Sequence, residues 1–276
     1  MEISEWTWKS FDGLDMYARG WTPKGKPKGV LVLVHGFGEH CARYDLLGAA
    51  LTEKGYALLG FDLRGHGKSG GQRGHTPSYD ALLDDISSVL KQAEERYADV
   101  PRFLYGHSMG GNLVLNYSLR RKPDLKGVIV TGAWLKTAFD PPATQISLAK
   151  MMNGIAPRFS QHSKLDASGL SHDQAVVRAY QQDPLVHDLI SARLFLAIHD
   201  SGLWALEHAA EFPLPLLLMH GGADPIISAQ ACQEFANKAG DKVTFKLWDG
   251  LYHEIHNEPE KEQVFAYMLN WLKKHS

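Results

Sequence analysis

Three residue types that can act together recur here in a telling order: a serine between glycines, then an acid, then a histidine. Tyr105-Gly106-His107-Ser108-Met109-Gly110-Gly111 follows an apolar run and precedes an apolar helical segment, Asn112–Leu119. A sharp strand-to-helix turn strains the serine backbone, and the flanking glycines remove the Cβ atoms that would clash as neighbouring backbone crowds in. Ser108 would then stand at the carboxyl edge of a sheet, with a helix N-terminus behind it that favours developing negative charge. The competing reading is a glycine-rich turn with an incidental serine; the strand–helix context speaks against it.

Serine is a weak nucleophile until a base takes its proton, and that base needs a carboxylate to fix its tautomer. The partners are expected in the order serine, acid, histidine, each just after a strand. Asp224, in Gly221-Gly222-Ala223-Asp224-Pro225, follows the apolar run Leu214–Met219, and His253 follows Val243–Leu247. The chain has 14 histidines. Of these, His35, His40, His66, His75, His107, His220 and His256 also fall near expected strand ends, where a hydrogen-bonded structural role is the ordinary one. His256 is the nearest rival of His253. Asp62 precedes the serine and reads as structural. His253-Glu254-Ile255-His256 lacks the two-residue gap before the second histidine that a zincin site needs, so no metal is expected. Donors for an oxyanion are expected at the amide after the nucleophile, Met109, and at Phe37 in His35-Gly36-Phe37-Gly38.

These residues must be held by strands and helices in alternation. Val30–Val34, Ala57–Phe61, Arg102–Tyr105, Val128–Val130, Leu214–Met219 and Val243–Leu247 are short apolar runs of the kind found in strands buried on both faces. Between them, Leu82, Ile86, Val89, Leu90 and Ala93 step by three and four, as do Phe265, Met268, Leu269 and Leu272. Glu5–Lys9 and Leu14–Arg19 read as an antiparallel hairpin joined by Phe-Asp-Gly. About eight strands in an α/β arrangement follow.

From residue 135 to 212 the alternation stops. This stretch, with breakers at Pro141-Pro142, Gly154, Pro157 and Pro184, reads as a helical cap inserted between core segments 1–134 and 213–276, with no buried strand of its own. Its Ile146, Leu148, Ala149, Met151 and Met152 are expected as cap core, or as an apolar face that meets lipid.

Composition closes off other classes. Across 276 residues, 29 Lys+Arg against 31 Asp+Glu leave a net charge of −2, without the basic footprint of a nucleic-acid binder. Two cysteines, Cys41 and Cys232, offer neither a disulfide framework nor a Cys-rich zinc module. The acidic, polar opening lacks a secretory signal, and no apolar run approaches the roughly 20 residues that span a bilayer. A cytoplasmic location is expected, with weak attachment to a membrane surface left open.

The combination His35-Gly-Phe-Gly-Glu39-His-Cys-Ala-Arg43-Tyr44, then Asp62-Leu-Arg-Gly-His-Gly-Lys-Ser-Gly-Gly-Gln-Arg-Gly-His75, with Gly-His-Ser-Met-Gly-Gly and Asp183-Pro184-Leu185, resembles the monoacylglycerol lipases and lysophospholipases of the α/β-hydrolase superfamily. The resemblance runs over nearly the whole chain and is weakest between about Phe139 and Ser171. It departs at Phe37, where the animal enzymes carry a small residue. It implies an α/β-hydrolase fold with a helical cap, a triad of Ser108, Asp224 and His253, and oxyanion amides at Phe37 and Met109. Glu39, Arg43 and His256 match the polar residues around the family's glycerol-binding end, and Tyr180 matches a tyrosine from the cap. A local Glu39–Arg43 ion pair that shapes the oxyanion loop is the competing and compatible reading. The implied activity is hydrolysis of a monoacylglycerol to glycerol and fatty acid through an acyl-enzyme, without a cofactor. The implied partner is a small lipid ester, with transient contact of the cap to a membrane or micelle. Alternatives are a lysophospholipase, a short-chain carboxylesterase, a proline-type aminopeptidase that captures a free amine through Glu39 or Glu207, and a non-catalytic binding protein. Oligomeric state stays open.

Overall fold

The computed structural model describes residues 1–139, 141–163 and 165–276. Its centre is a sheet whose strands are, in chain order, β1 (Glu2–Lys9), β2 (Asp15–Thr22), β3 (Val30–Val34), β4 (Ala57–Phe61), β5 (Arg102–His107), β6 (Gly127–Thr131), β9 (Leu216–Gly221) and β10 (Val243–Trp248). They lie side by side as β1-β2-β4-β3-β5-β6-β9-β10. β1 pairs antiparallel with β2, and β2 with β4; all other neighbours are parallel. The expected α/β arrangement of about eight strands is thus present, and the N-terminal hairpin forms the antiparallel edge.

Every residue of β3, β4, β6 and β9 is buried. Period-two alternation sends the two faces of β3 into different cores. Val30, Val32 and Val34 meet Leu82 and Ile86 of α2 (Tyr79–Arg96) and Leu113 of α3 (Met109–Arg121). Leu31 and Leu33 meet Leu47 and Leu51 of α1 (Asp45–Glu53) and Phe265 and Met268 of α8 (Lys261–His275). α7 (Ala229–Ala239) contributes Phe235 to the first core.

Between β6 and β9 come α4 (Ala143–Ile155), β7 (Ser160–His162), α5 (Gln174–Gln182), β8 (Leu189–Ser191) and α6 (Ala192–Glu207). β7 and β8 form a separate antiparallel pair, where no strand was expected; three-residue strands are too short to show a period. α6 sinks Leu194, Ile198, Ala205 and Leu206 into the first core. Asn112 and Asn116 of α3 grip it, donating to the Ile198 and Ser201 carbonyls at 3.1 Å each. α4 is different: none of its residues is buried. The expectation that Ile146, Leu148, Ala149, Met151 and Met152 pack as cap core fails for Leu148 and Met151, which are exposed, whereas Ile146, Ala149 and Met152 are half-buried; Leu148, Ala149 and Met152 line a cavity rather than a closed core.

Candidate active site

β5 ends at His107 and α3 begins at Met109, so Ser108 is the one residue between strand and helix, with φ +54° and ψ −117°. A side chain other than glycine is strained there, so the surroundings must hold it. The Ser108 amide donates to the Thr131 carbonyl at 3.0 Å, while its own carbonyl accepts from Asn112 at 3.0 Å and Trp134 at 2.9 Å. A Cβ on Gly106 would strike the Gly110 carbonyl, and one on Gly110 would strike the Val34 carbonyl. The glycines are therefore needed for close approach of backbone.

Ser108 and His253 line one cavity of about 540 Å³. Nδ1 of His253 lies 2.7 Å from Oδ2 of Asp224. Asp224 has no exposed side-chain surface, and its Oδ1 accepts from the amides of Ile226 at 2.8 Å and Ile227 at 3.1 Å. Burial pushes its carboxyl up. His253 beside it and the hydrogen bonds from His220 and His253 outweigh burial and hold it well below the usual carboxylate range. No hydrogen bond is closed between the Ser108 hydroxyl and His253; such contacts often tighten only around substrate. Among the described residues neither the Phe37 nor the Met109 amide donates to a protein carbonyl, so both stay free for an oxyanion.

The loop that carries His253 is tied to the segment entering α5. The His253 amide donates to the Gly169 carbonyl at 3.3 Å and the Glu254 amide to Leu170 at 2.8 Å. The buried Glu258 accepts from the Tyr252 and His172 amides at 2.6 and 2.9 Å and pairs with Nδ1 of His172 at 2.9 Å. On its other side the His253 ring lies 4.7 Å from that of His107. Burial, then the neighbouring His253 and His256, keeps His107 well below the usual histidine range and so neutral.

At the polar end Glu39 and Tyr180 reach the cavity wall, whereas Arg43 and His256 lie behind it. Glu39 Oε1 accepts from the Gly36 amide at 2.6 Å and the Tyr44 hydroxyl at 2.7 Å, and Oε2 from Arg43 at 2.6 Å. That geometry favours the loop-shaping reading of the Glu39–Arg43 pair. The Arg43 guanidinium also packs over the Tyr180 ring, 4.8 Å from its centroid. His256 stacks on Tyr44 at 4.9 Å, and neither of its nitrogens finds a partner among the described residues. Burial outweighs the attraction of Glu254 and Glu39 and pushes it down to about 4.

Sequence reasoning missed three residues here, His220, Glu254 and Glu258. Two had a signal: Glu254 adjoins His253, and His220 lies near the end of the strand that delivers Asp224. From the sequence His220 reads as one of the structural histidines, and Glu254 only as part of a metal motif whose spacing fails. Of the residues expected as structural, His35 accepts from the Leu63 amide at 2.9 Å and Asp62 from the Cys41 and Lys68 amides at 2.8 and 2.7 Å.

A mostly parallel sheet, with a strained serine at its strand–helix elbow and an acid–histidine pair on later loops, defines an α/β-hydrolase. The chain belongs to the Hydrolase_4 family, described as serine aminopeptidase, S33, whose model matches residues 25–260. It is 31% identical to the monoacylglycerol lipase of Mycolicibacterium smegmatis over 274 residues, covering 99% of this chain and 98% of that one. It is 39% identical over 259 residues to an uncharacterised abhydrolase domain-containing protein of Dictyostelium discoideum, matching 93% of this chain but spanning only 27% of that protein's length. The crystal structure of the Paleococcus ferrophilus monoacylglycerol lipase superposes with a TM-score of 0.85 at 32% identity, over 100% of each chain. A soluble variant of the Saccharomyces cerevisiae monoglyceride lipase, in complex with a substrate analogue, gives 0.89 at 25% identity, over 100% of this chain and 97% of that one.

Proposed function

We propose that this protein hydrolyses monoacylglycerols to glycerol and fatty acid, with Ser108, Asp224 and His253 as its triad. The observation that carries the reading is the 2.7 Å contact between Asp224 and His253 in a site whose cavity also holds the strained Ser108. Oγ of Ser108 attacks the ester carbonyl while Nε2 of His253 takes its proton, and Asp224 stabilises the imidazolium. The Phe37 and Met109 amides hold the oxyanion. As the tetrahedral intermediate collapses, the ester C–O bond breaks and glycerol leaves with the proton from His253. Water then attacks the acyl-enzyme with His253 again as base, releasing the fatty acid and restoring Ser108.

The cavity supports a lipid. Phe37, Trp134, Leu148, Met152, Phe195 and Ile227 give it apolar walls for an acyl chain, and the polar groups gather near Glu39 and Tyr180. Residues 135–212 act as the cap, anchored to the core by α6. α4 turns Leu148 and Met152 to the cavity and exposes Met151 and Ile155 beside it, which suits transient contact with a lipid surface; among the described residues no helix is long and apolar enough to cross a membrane. An aminopeptidase has less support, since both Glu39 oxygens are already engaged and Glu207 stands exposed at the end of α6, outside the cavity.

The test is hydrolysis of monoacylglycerol, diacylglycerol, triacylglycerol, lysophosphatidylcholine and a short-chain p-nitrophenyl ester, with Ser108→Ala beside each. Preference for monoacylglycerol, lost in the variant, is the expected result. Activity confined to the short ester would remove the lipid assignment. Turnover that survives Ser108→Ala would remove the triad.

A further inference from the structure

Asp224 carries a second histidine. His220, in β9, is fully buried, and its Nε2 lies 3.0 Å from Oδ2 of Asp224. That is the same oxygen that pairs with Nδ1 of His253 at 2.7 Å. Facing a carboxylate, Nε2 of His220 must bear the hydrogen, because an ionised carboxylate only accepts. Its Nδ1 finds no hydrogen-bond partner among the described residues. Besides Asp224, Cys232 of α7 is a titratable neighbour of His220, and its thiol is turned toward the Ala133 carbonyl at 3.5 Å.

An imidazole that merely filled this space would be a poor choice, since a buried polar atom without a partner is costly and an apolar side chain has none. His220 leaves one nitrogen unpaired while the other reaches Asp224. The carboxylate is thereby fixed at both ends, with two amides on Oδ1 and two imidazoles on Oδ2.

We propose that His220 is a positioning residue that acts through Asp224, aiming Oδ2 at His253 and weakening it as an acceptor by sharing it, an inference that rests on the triad proposed above. Without the His220 hydrogen bond Oδ2 is left with His253 alone, so the carboxylate is less firmly aimed and its charge is less well satisfied. It then grips a protonated His253 more tightly, so the acid limb of the pH–rate profile moves to higher pH. The other groups that face these rings stay in place. His107 lies 4.7 Å from His253, with His256 at 4.8 Å from His107 and Arg43 and Glu254 beyond.

The experiment is steady-state hydrolysis of monoacylglycerol and a soluble short-chain ester by full-length His220→Leu and His220→Gln, from about pH 5 to about pH 9. Ser108→Ala and Asp224→Asn run alongside. In His220→Leu we expect kcat to fall about tenfold with KM little changed, and the acid limb to rise by about one pH unit. His220→Gln, which keeps an amide donor, should bring the limb back. A limb that stays put in His220→Leu, with turnover still dependent on Ser108, overturns the role of His220 alone. Turnover that does not need Ser108 overturns the triad instead. Should His220→Leu fail to fold, NMR of the unmodified protein with nitrogen-labelled histidine rings decides. A hydrogen on Nε2 of His220 supports the proposal, and a bare Nε2 overturns it.

Discussion

The Arg43 guanidinium holds the Glu254 carboxylate with both terminal nitrogens, at 2.6 and 2.8 Å, and Glu254 is the residue directly after His253. One of those nitrogens also reaches Glu39 at 2.6 Å, and Glu39 in turn accepts from the amide just before Phe37. A single cation thus joins the loop that carries the proposed base to the loop that carries a proposed oxyanion donor. Burial opposes charge on Arg43, but Glu254 and Glu39 outweigh it and hold the guanidinium well above its ordinary value.

Removing that cation should be expensive. Arg43→Met would leave two carboxylates buried without their partner, and breaking a buried pair from one side typically costs about 3–5 kcal/mol. We expect a lower melting temperature and a fall in kcat/KM, with Arg43→Lys intermediate because an ammonium cannot grip both oxygens side by side. Thermal melts and ester hydrolysis on the same samples check this. A variant that melts with the wild type would mean that the pair contributes nothing to either loop.

Acid should destabilise this protein over two ranges of pH, and His256 and Glu254 each contribute to one of them. His256 is pushed down to about 4 in the fold, whereas an unfolded chain takes its proton near pH 6.5. Between those values the unfolded state binds more protons, so stability falls as pH drops from about 6.5 to about 4, by on the order of 3 kcal/mol for this group. Burial pushes the Glu254 carboxyl up, yet Arg43 outweighs it and brings it down to about 2. Its contribution is complete above about pH 4.5 and is lost as pH falls toward 2. His256→Phe, which keeps a ring on Tyr44, should make the upper slope shallower by its own share, with the buried His107 and His66 still contributing there, and should leave the lower range unchanged. Melting temperatures measured across this range would show an unchanged upper slope if His256 did not contribute to it.

Two glycines should respond oppositely to the same methyl group. Gly110→Ala would drive a Cβ into the Val34 carbonyl, forcing β3 and the elbow apart at a cost of at least about 1–3 kcal/mol. Gly154, inside α4, has open space around its Cβ direction, so Gly154→Ala should stabilise that helix by up to about 1 kcal/mol. Labelling by a fluorophosphonate probe should weaken in the first variant and persist in the second. A Gly110→Ala protein that labels and melts normally would show that the turn has slack.

The central strands could be read from residue types because burial on both faces leaves unbroken apolar runs, and β3 and β4 fall on the expected residues. β9 begins at Leu216 rather than Leu214, since Pro215 cannot donate to a ladder. The elbow was legible because backbone crowding demands glycine at fixed offsets from Ser108. His220, Glu254 and Glu258 were not, because what matters about them is a partner far along the chain or across a turn: the 2.6 Å bond from Arg43 to Glu254 joins residues 211 positions apart. For the same reason the resemblance puts His256 at the glycerol end, while the fold turns its ring onto Tyr44, behind the wall.

Met151 and Ile155 of α4 are 52% and 75% exposed, and Phe139 and Phe159 beside the cavity are 82% and 58% exposed. Scattered apolar residues on a surface mean little, but this cluster beside an apolar cavity is where the proposed contact with a lipid surface would fall. Lys150 and Arg158 are exposed on the same segment and would favour an anionic surface. Phe139, Leu148 and Phe159 also line the cavity, whereas Met151 and Ile155 do not, so the last two separate docking from substrate binding. In Met151→Ser/Ile155→Ser we expect sedimentation with vesicles of phosphatidylcholine and phosphatidylglycerol to weaken at least about tenfold, since a factor of ten needs only about 1.4 kcal/mol and each apolar side chain is worth about 1.5–3 kcal/mol when fully buried. The rate on monoacylglycerol carried in those vesicles should fall with it. The rate on a dissolved short-chain ester should stay within about twofold, because the cavity wall and Ser108 are untouched. Equal loss on both substrates would mean that α4 shapes the cavity rather than docks it, and no loss on either would leave this rim without a role at the lipid surface.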